Sequence, residues 1–264
     1  HREIEAVLGR IDRAASTWRD DSDVTRFNRA AAGAWVEVAP DLAAIIDLAR
    51  RIHDESGGGF DITVAPLVRL WRTGPVPTAT EIEAARSRVG MEFLRVRRAE
   101  GDRPAAIMKT RAGVEIDLDG IAPGYAVDRI GERLASLGSE AHLVELGGEV
   151  RAWGRRSADA PWRAAVRCGD AGNDRSRVVE LAAGRALATS TIRPGRGGID
   201  PRSGRPVQGP CRSVTVIADS CAAADAWAVA AVVLGLEPDA GGLVSAVRAP
   251  SMRAALPAAT PAGP

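Results

Sequence analysis

Five aspartates lie within or beside segments of small residues, where the backbone can approach a ligand closely: Asp61, Asp117, Asp119, Asp200 and Asp225. Carboxylate oxygens are ligands that hard cations such as Mg²⁺ prefer, and a bound cation neutralises charge on phosphate oxygens. A covalent mechanism has less support, because the chain has no G-x-S-x-G motif and its three histidines lie near no obvious Ser or Cys partner. The aspartates therefore predict magnesium-assisted chemistry on a phosphate compound.

The first of two small-residue turns precedes Asp61. Apolar residues at helical spacing predict a helix from Pro40 to Gly57, with Asp41 as its N-cap. This helix leads into the turn Gly57–Gly59, whose flexibility can place Asp61 against a ligand. A plain connecting loop is the alternative interpretation.

The second turn, Asp117–Gly124, lies between a strand predicted over Val114–Leu118 and a helix predicted over Pro123–Leu137. The free N–H groups and the dipole at a helix N-terminus attract anions, so the turn is a candidate phosphate site. It is neither a Walker loop nor a dinucleotide fingerprint. The pattern alone leaves a phosphate site and a structural turn both open.

Asp225 is the one charged residue inside an apolar helix predicted over Ala222–Leu234. Such a carboxylate reaches the surface, pairs with a base or holds a metal ion. Elsewhere short strands are paired, as at His142–Leu146 and Glu149–Trp153 around the Gly147-Gly148 turn. This pattern predicts an α+β protein with mixed or antiparallel sheets and helices packed on them. Further strands are expected over Ala105–Met108, Trp162–Arg167, Val178–Leu181 and Val214–Ala218.

Composition excludes several classes of partner. The 264 residues carry 35 basic and 34 acidic side chains, a net charge of +1, which argues against nucleic acid and anionic membranes. The three cysteines are widely spaced, which disfavours zinc and a disulfide framework. The longest apolar stretch, Ala226–Leu236, falls short of the roughly 20 residues that span a bilayer.

The cellular location stays open. The chain begins at His1 rather than Met, so it could be cytoplasmic, or exported or lipid-anchored after removal of a signal segment. We expect residues 1–246 to form a single unit and the Ala- and Pro-rich residues 247–264 to be disordered.

Five ordered segments resemble the ApbE-type FAD:protein FMN transferases, or flavin transferases. In the third, IDLDGIAPGYAVD is similar to the family's IDLGGIAKGYAVD. The resemblance extends from about Ser16 to Leu236. The segments are Ser16–Asn28, Gly58–Trp71, Ile116–Asp128, Leu143–Glu149 and a composite of Ala188–Ser190, Ile199–Gly204 and Ser213–Ala226.

The resemblance implies a magnesium-dependent enzyme with the flavin transferase fold. Such an enzyme cleaves FAD and attaches FMN to a Thr or Ser hydroxyl of an acceptor protein, releasing AMP. By position in the motifs, the FAD-binding residues would be Gly59, Phe60, Asp61, Asp117, Pro123 and Ile199. The magnesium ligands would come from Gly120, through its carbonyl, Asp225 and the region of Ala228.

Three positions depart from the family pattern. Pro123 replaces a lysine that contacts FAD, Gly197 replaces a histidine associated with deprotonation of the acceptor, and Val229 replaces a threonine that binds the metal. Asp200 or Asp119 is a candidate replacement base. No lysine or histidine of this chain is expected to compensate. A FAD-binding carrier or sensor without transferase activity is therefore the alternative function.

Overall fold

The structure, a computed structural model, describes residues 1–72, 75–168, 175–192, 198–207, 212–236 and 243–244. The tail at 247–264, which the sequence predicts to be disordered, lies outside these residues, as does Gly197. The described helices are α1 (Arg2–Ala15), α2 (Asp23–Arg29), α3 (Pro40–Glu55), α4 (Ala65–Arg72), α5 (Ala79–Arg86), α6 (Ala122–Ser136) and α7 (Cys221–Val233).

The strands form one large sheet and three smaller ones. The large sheet has the order β12-β11-β8-β5-β4, in which β12 and β11 are parallel and the other neighbours are antiparallel. A three-stranded antiparallel sheet has the order β1-β3-β2, and β6–β7 and β9–β10 are antiparallel pairs. The strands are β1 (Trp35–Glu37), β2 (Leu94–Arg97), β3 (Ala106–Lys109), β4 (His142–Leu146), β5 (Glu149–Trp153), β6 (Trp162–Cys168), β7 (Arg175–Leu181), β8 (Ala186–Ile192), β9 (Ile199–Asp200), β10 (Arg205–Pro206), β11 (Arg212–Ala218) and β12 (Leu243–Val244).

Helices α6 and α7 pack on one face of the large sheet. Alternate residues of β11, Val214 and Val216, belong to the same buried cluster as Ala226 and Ala230 of α7. Almost every residue of α7 is buried, as expected for a helix that is apolar on all sides. Helix α7 also contacts α6 and α3, and Asp225 is buried in this packing.

The predicted α+β class is confirmed, and the two turns lie where the sequence indicated. Gly147 and Gly148, both with positive φ, join β4 to β5. Helices α6 and α7 agree with their predicted bounds to within a residue. Within the described ranges, no helix is long and apolar enough to cross a membrane.

Two local predictions are wrong. Asp41 is not the N-cap of α3: the cap is Ala39, Pro40 occupies the first turn, and the Asp41 carboxylate accepts a hydrogen bond from the Tyr125 hydroxyl at 2.9 Å. The segment Val114–Leu118 is not a strand either. It forms an isolated bridge between Glu115 and Val64, because the side chain of Asn28, rather than a neighbouring strand, binds the backbone of Ile116.

Candidate active site

The Asp117–Gly124 turn is held from two sides before it enters α6. The Asn28 side chain both accepts from the Ile116 N–H (2.8 Å) and donates to its carbonyl (3.0 Å), while the Asp117 N–H donates to the Ile62 carbonyl at 2.8 Å. Asp117 Oδ1 then accepts from the Asp119 N–H at 2.9 Å, which closes the turn. Pro123 lies in the first turn of α6, where the missing N–H costs no helical hydrogen bond.

Residues from three distant segments meet at this turn. A Cβ placed on Gly120 would lie 2.9 Å from Val229 Cγ2 and 3.5 Å from Phe60 Cε2. One turn further, the Gly124 N–H donates to Asp225 Oδ2 at 3.2 Å. The predicted association of Phe60, Gly120 and Asp225 is therefore present in the fold.

The electrostatic environment of Asp225 is acidic. Asp225 is 7% exposed, and burial raises the pKa of its carboxyl well above the usual 3.8. Glu149 and Asp119 raise that pKa further, whereas the hydrogen bond from Gly124 lowers it. A buried carboxylate with two acidic neighbours is stabilised by a cation.

Asp119 is the more exposed carboxyl of the turn. Desolvation raises its pKa, Asp117 adds to the increase, and Arg72 at the end of α4 opposes it. An acid whose pKa is raised toward neutrality is a better general base than an ordinary aspartate. The raised pKa makes Asp119 a candidate for proton transfer, as expected from the sequence.

The groups near Gly120 supply only part of a magnesium coordination shell. Among the described residues, no three His, Cys, Asp or Glu side chains lie close enough together to hold a metal ion. Magnesium is commonly bound by one or two carboxylates with waters and substrate phosphates, so the Gly120 carbonyl and Asp225 are a sufficient protein contribution. Ala228 packs its methyl group in the core and Val229 adds a methyl group beside Gly120, so neither side chain offers an oxygen to a metal ion.

Asp61 is directed into the protein rather than toward this turn. Its Oδ1 accepts from the Thr63 N–H at 2.7 Å and from Thr63 Oγ1 at 2.6 Å, and its Oδ2 lies 3.3 Å from His53 Nδ1. Burial raises the pKa of Asp61, while Thr63 and His53 lower it. The five aspartates therefore do not converge on one cation, contrary to the simplest interpretation of their pattern.

The two residues before Asp61 join the turn to the rest of the site. A Cβ on Gly59 would lie 2.9 Å from Leu234 Cγ, so only glycine allows the turn to approach the end of α7 this closely. Phe60 is 5% exposed, and its N–H donates to Ser56 Oγ at 3.1 Å. Its ring extends toward Gly120, which connects the two turns.

The β9–β10 hairpin brings Arg202 beside Gly58 of the first turn, and Asp200 is engaged by that arginine. Its Oδ1 accepts from the Arg202 N–H at 3.0 Å and from Arg202 Nε at 2.9 Å, and its Oδ2 accepts from Nη2 at 3.1 Å. Ile199 is half-buried and pairs with Pro206. Asp200 would have to break this ion pair to act as a base, so Asp119 is the better-placed candidate.

The sequence interpretation missed His53 and Arg202. The Arg202 side chain lies 3.5 Å, and His53 Cε1 3.7 Å, from where a Cβ on Gly58 would be. His53 lies in the last turn of α3, and its Nδ1 is 3.0 Å from the Phe60 carbonyl oxygen and 3.3 Å from Asp61 Oδ2, so it supports the glycine turn. Its position immediately before the glycine turn was the available signal, whereas His142 is bound to the Gly131 carbonyl and stacks on Trp153.

Comparison with known proteins agrees with this geometry. The ApbE family profile matches residues 1–247. The chain belongs to the ApbE family. The FAD:protein FMN transferase of Haemophilus influenzae is 31% identical over 254 residues, covering 89% of this chain and 72% of that protein.

Two solved ApbE structures share the fold. The apo flavinyl transferase of Pseudomonas stutzeri has a TM-score of 0.77 at 35% identity, covering 91% of this chain and 76% of its own. A histidine-to-glycine mutant of the flavin transferase of Vibrio cholerae has a TM-score of 0.76 at 33% identity, covering 89% and 77%. The flavin transferase fold expected for this ApbE protein is thereby confirmed.

Proposed function

We propose that this ApbE protein transfers FMN from FAD to a Thr or Ser hydroxyl of an acceptor protein and releases AMP. The observation that carries the proposal is the meeting of Phe60, Gly120 and Asp225, three family positions from separate parts of the chain. The related transferases support the same reaction. FAD would lie along the two turns, against Gly59, Phe60, Asp117, Pro123 and Ile199, while Asp61, the remaining predicted FAD residue, would support the first turn from within.

Magnesium would be held by Asp225 and the Gly120 carbonyl, while Ala228, the third predicted position, brings no side-chain oxygen. When bound, the ion neutralises charge on the pyrophosphate oxygens. The Gly124 N–H keeps the Asp225 carboxylate in place at the start of α6. Val229 supplies no oxygen, so water would have to replace the threonine ligand on this side.

Asp119 would act as the general base. It takes the proton from the acceptor hydroxyl as the hydroxyl oxygen bonds to the FMN phosphorus, and the bond from that phosphorus to the AMP oxygen breaks. AMP leaves with the bonding electron pair. Asp200 is the second candidate, because release of Arg202 would free its carboxylate.

A flavin carrier or sensor without transferase activity is the alternative. Two observations favour it: Pro123 brings no positive charge to the turn, and Val229 brings a methyl group to the metal side of Gly120. Such a protein would bind FAD through the same turns and leave its pyrophosphate intact.

The test is incubation of the purified protein with FAD, Mg²⁺ and a Thr-containing acceptor peptide. We expect AMP by chromatography and a mass gain on the peptide that equals FMN. The same peptide with Val in place of Thr, and a reaction containing EDTA, are the controls. Bound, intact FAD with neither AMP nor modified peptide at any Mg²⁺ concentration would establish the carrier alternative.

A further inference from the structure

Helices α6 and α7 touch through their backbones beside the proposed metal site. A Cβ on Gly124 would lie 2.4 Å from the Cys221 carbonyl oxygen, so a side chain there would force the helices apart. Asp225 lies about one turn beyond Cys221 and accepts from the Gly124 N–H. A small shift of α7 along α6 therefore moves the Asp225 carboxylate relative to the Gly120 turn.

A second buried carboxylate, that of Asp128 on α6, binds the start of α7. Its Oδ1 accepts from the Cys221 N–H at 2.8 Å and from Arg151 Nη1 at 2.6 Å, and its Oδ2 accepts from the Ala222 N–H at 3.0 Å. Asp128 is only 6% exposed, and Arg151 balances its charge. Two N–H groups that have no partner within α7 thus converge on one side chain of another helix.

The Asp128 hydrogen bonds are not needed to cap α7. The Ser220 side chain already caps α7 by accepting from the Ala223 N–H at 3.2 Å. Asp128 instead ties α7 to α6, and Asp225 ties α6 to α7 in the opposite direction. The pair of contacts fixes both the position and the rotation of α7 at the turn that carries Asp225.

We propose that Asp128 is a positioning residue for the metal site and acts through Asp225. It contacts neither the Gly120 carbonyl nor the Asp225 carboxylate in this mechanism; it holds the helix from which Asp225 projects. The proposal rests on the proposed function, because Asp225 is taken as the magnesium ligand. Residues that orient metal ligands typically contribute about 10–100-fold to metal affinity.

The experiment compares Asp128→Asn with Ser220→Ala. Asparagine has one acceptor oxygen, and its NH2 group would face an N–H of α7, so one of the two bonds between the helices is replaced by a repulsive contact. We expect faster hydrogen exchange at the Gly124 amide and a dissociation constant for Mg²⁺ about 10–100-fold higher by calorimetry. Ser220→Ala should speed exchange at Ala223 and leave both other quantities at wild-type values.

Each outcome decides the proposal. Wild-type exchange at Gly124, or wild-type Mg²⁺ affinity, in Asp128→Asn overturns it, as does an equal loss of affinity in Ser220→Ala. If Asp128→Asn does not fold, Asp128→Glu keeps the charge and displaces α7 by its longer side chain, with the same expected changes. If the wild-type protein binds no Mg²⁺ and releases no AMP, the proposed function fails, and exchange at Gly124 still decides whether Asp128 holds Asp225.

Discussion

Asp61 and Asp225 are both buried aspartates with a raised pKa, yet their surroundings differ. Asp61 is enclosed by donors: Thr63 binds it twice and His53 lies against it. Asp225 receives a backbone N–H from Gly124, and its charged neighbours Glu149 and Asp119 are acidic. The first arrangement stabilises a turn, whereas the second favours the protonated carboxyl and would favour the carboxylate only with a cation bound.

The comparison is tested most strongly by Asp225→Asn. Loss of the carboxylate should reduce Mg²⁺-dependent AMP release by about 100–1000-fold, since a metal ion contributes several kcal/mol to transition-state stabilisation. The melting temperature should not fall, because the asparagine amide is uncharged like the protonated acid and keeps an oxygen for the Gly124 N–H. Chromatography of AMP and thermal denaturation without metal measure the two effects.

Asp219→Asn is the matched control for Asp225→Asn. Asp219 lies just before α7, is exposed and pairs with Arg185, so the same chemical change occurs close by without entering the site. It should retain wild-type AMP release. An equal loss in both variants would contradict the distinction between Asp225 and a structural aspartate.

Whereas Asp225→Asn should mainly lower AMP release, Asp61→Ala should mainly lower stability. It leaves the Thr63 N–H and hydroxyl without their acceptor, which should lower the free energy of unfolding by about 2–4 kcal/mol. Asp61→Asn keeps one oxygen for both Thr63 bonds and should lose less. Urea denaturation measures both, and a stable Asp61→Ala protein with weakened FAD binding would show that Asp61 serves the cofactor instead.

Helical periodicity and glycine turns were sufficient to predict α3, α6, α7 and the β4–β5 hairpin, because these features depend on local sequence. The contacts of Asp61 and Asp200 were not predictable in this way. Thr63 and Arg202 are only two residues away from them, but whether a carboxylate faces its own turn or a ligand depends on how the turn packs.

Contacts between residues far apart in the sequence explain the other features that were not predicted from the sequence. Asn28 replaces a strand neighbour for Ile116, and these residues are separated by 88 positions. The Asp128 bonds to α7 cross 93 and 94 positions. Family motifs located Asp225 and Gly120. The partners that orient them come from distant parts of the sequence, and neither motif spacing nor composition predicts such contacts.

A smaller effect, a gain in Mg²⁺ affinity, is expected from Val229→Thr, which places a hydroxyl beside Gly120. A further oxygen ligand should lower the dissociation constant for Mg²⁺ by about 10-fold, comparable to the effect of other groups around metal sites. Val233→Thr, one turn later on the same helix, is the control and should leave the affinity unchanged. Equal affinities in all three proteins would mean that water already completes the site.

The smallest effect concerns pH. Because burial raises the pKa of Asp225 above its usual 3.8, the folded protein retains a proton that the unfolded chain releases. Its stabilising contribution is complete below about pH 4 and is lost as pH rises through the folded-state pKa. In EDTA, wild-type stability should therefore fall more steeply with rising pH than that of Asp225→Asn. Saturating Mg²⁺ should reverse this difference, because the ion binds the deprotonated carboxylate, and parallel melting curves in EDTA would show that Asp225 does not titrate differently on folding.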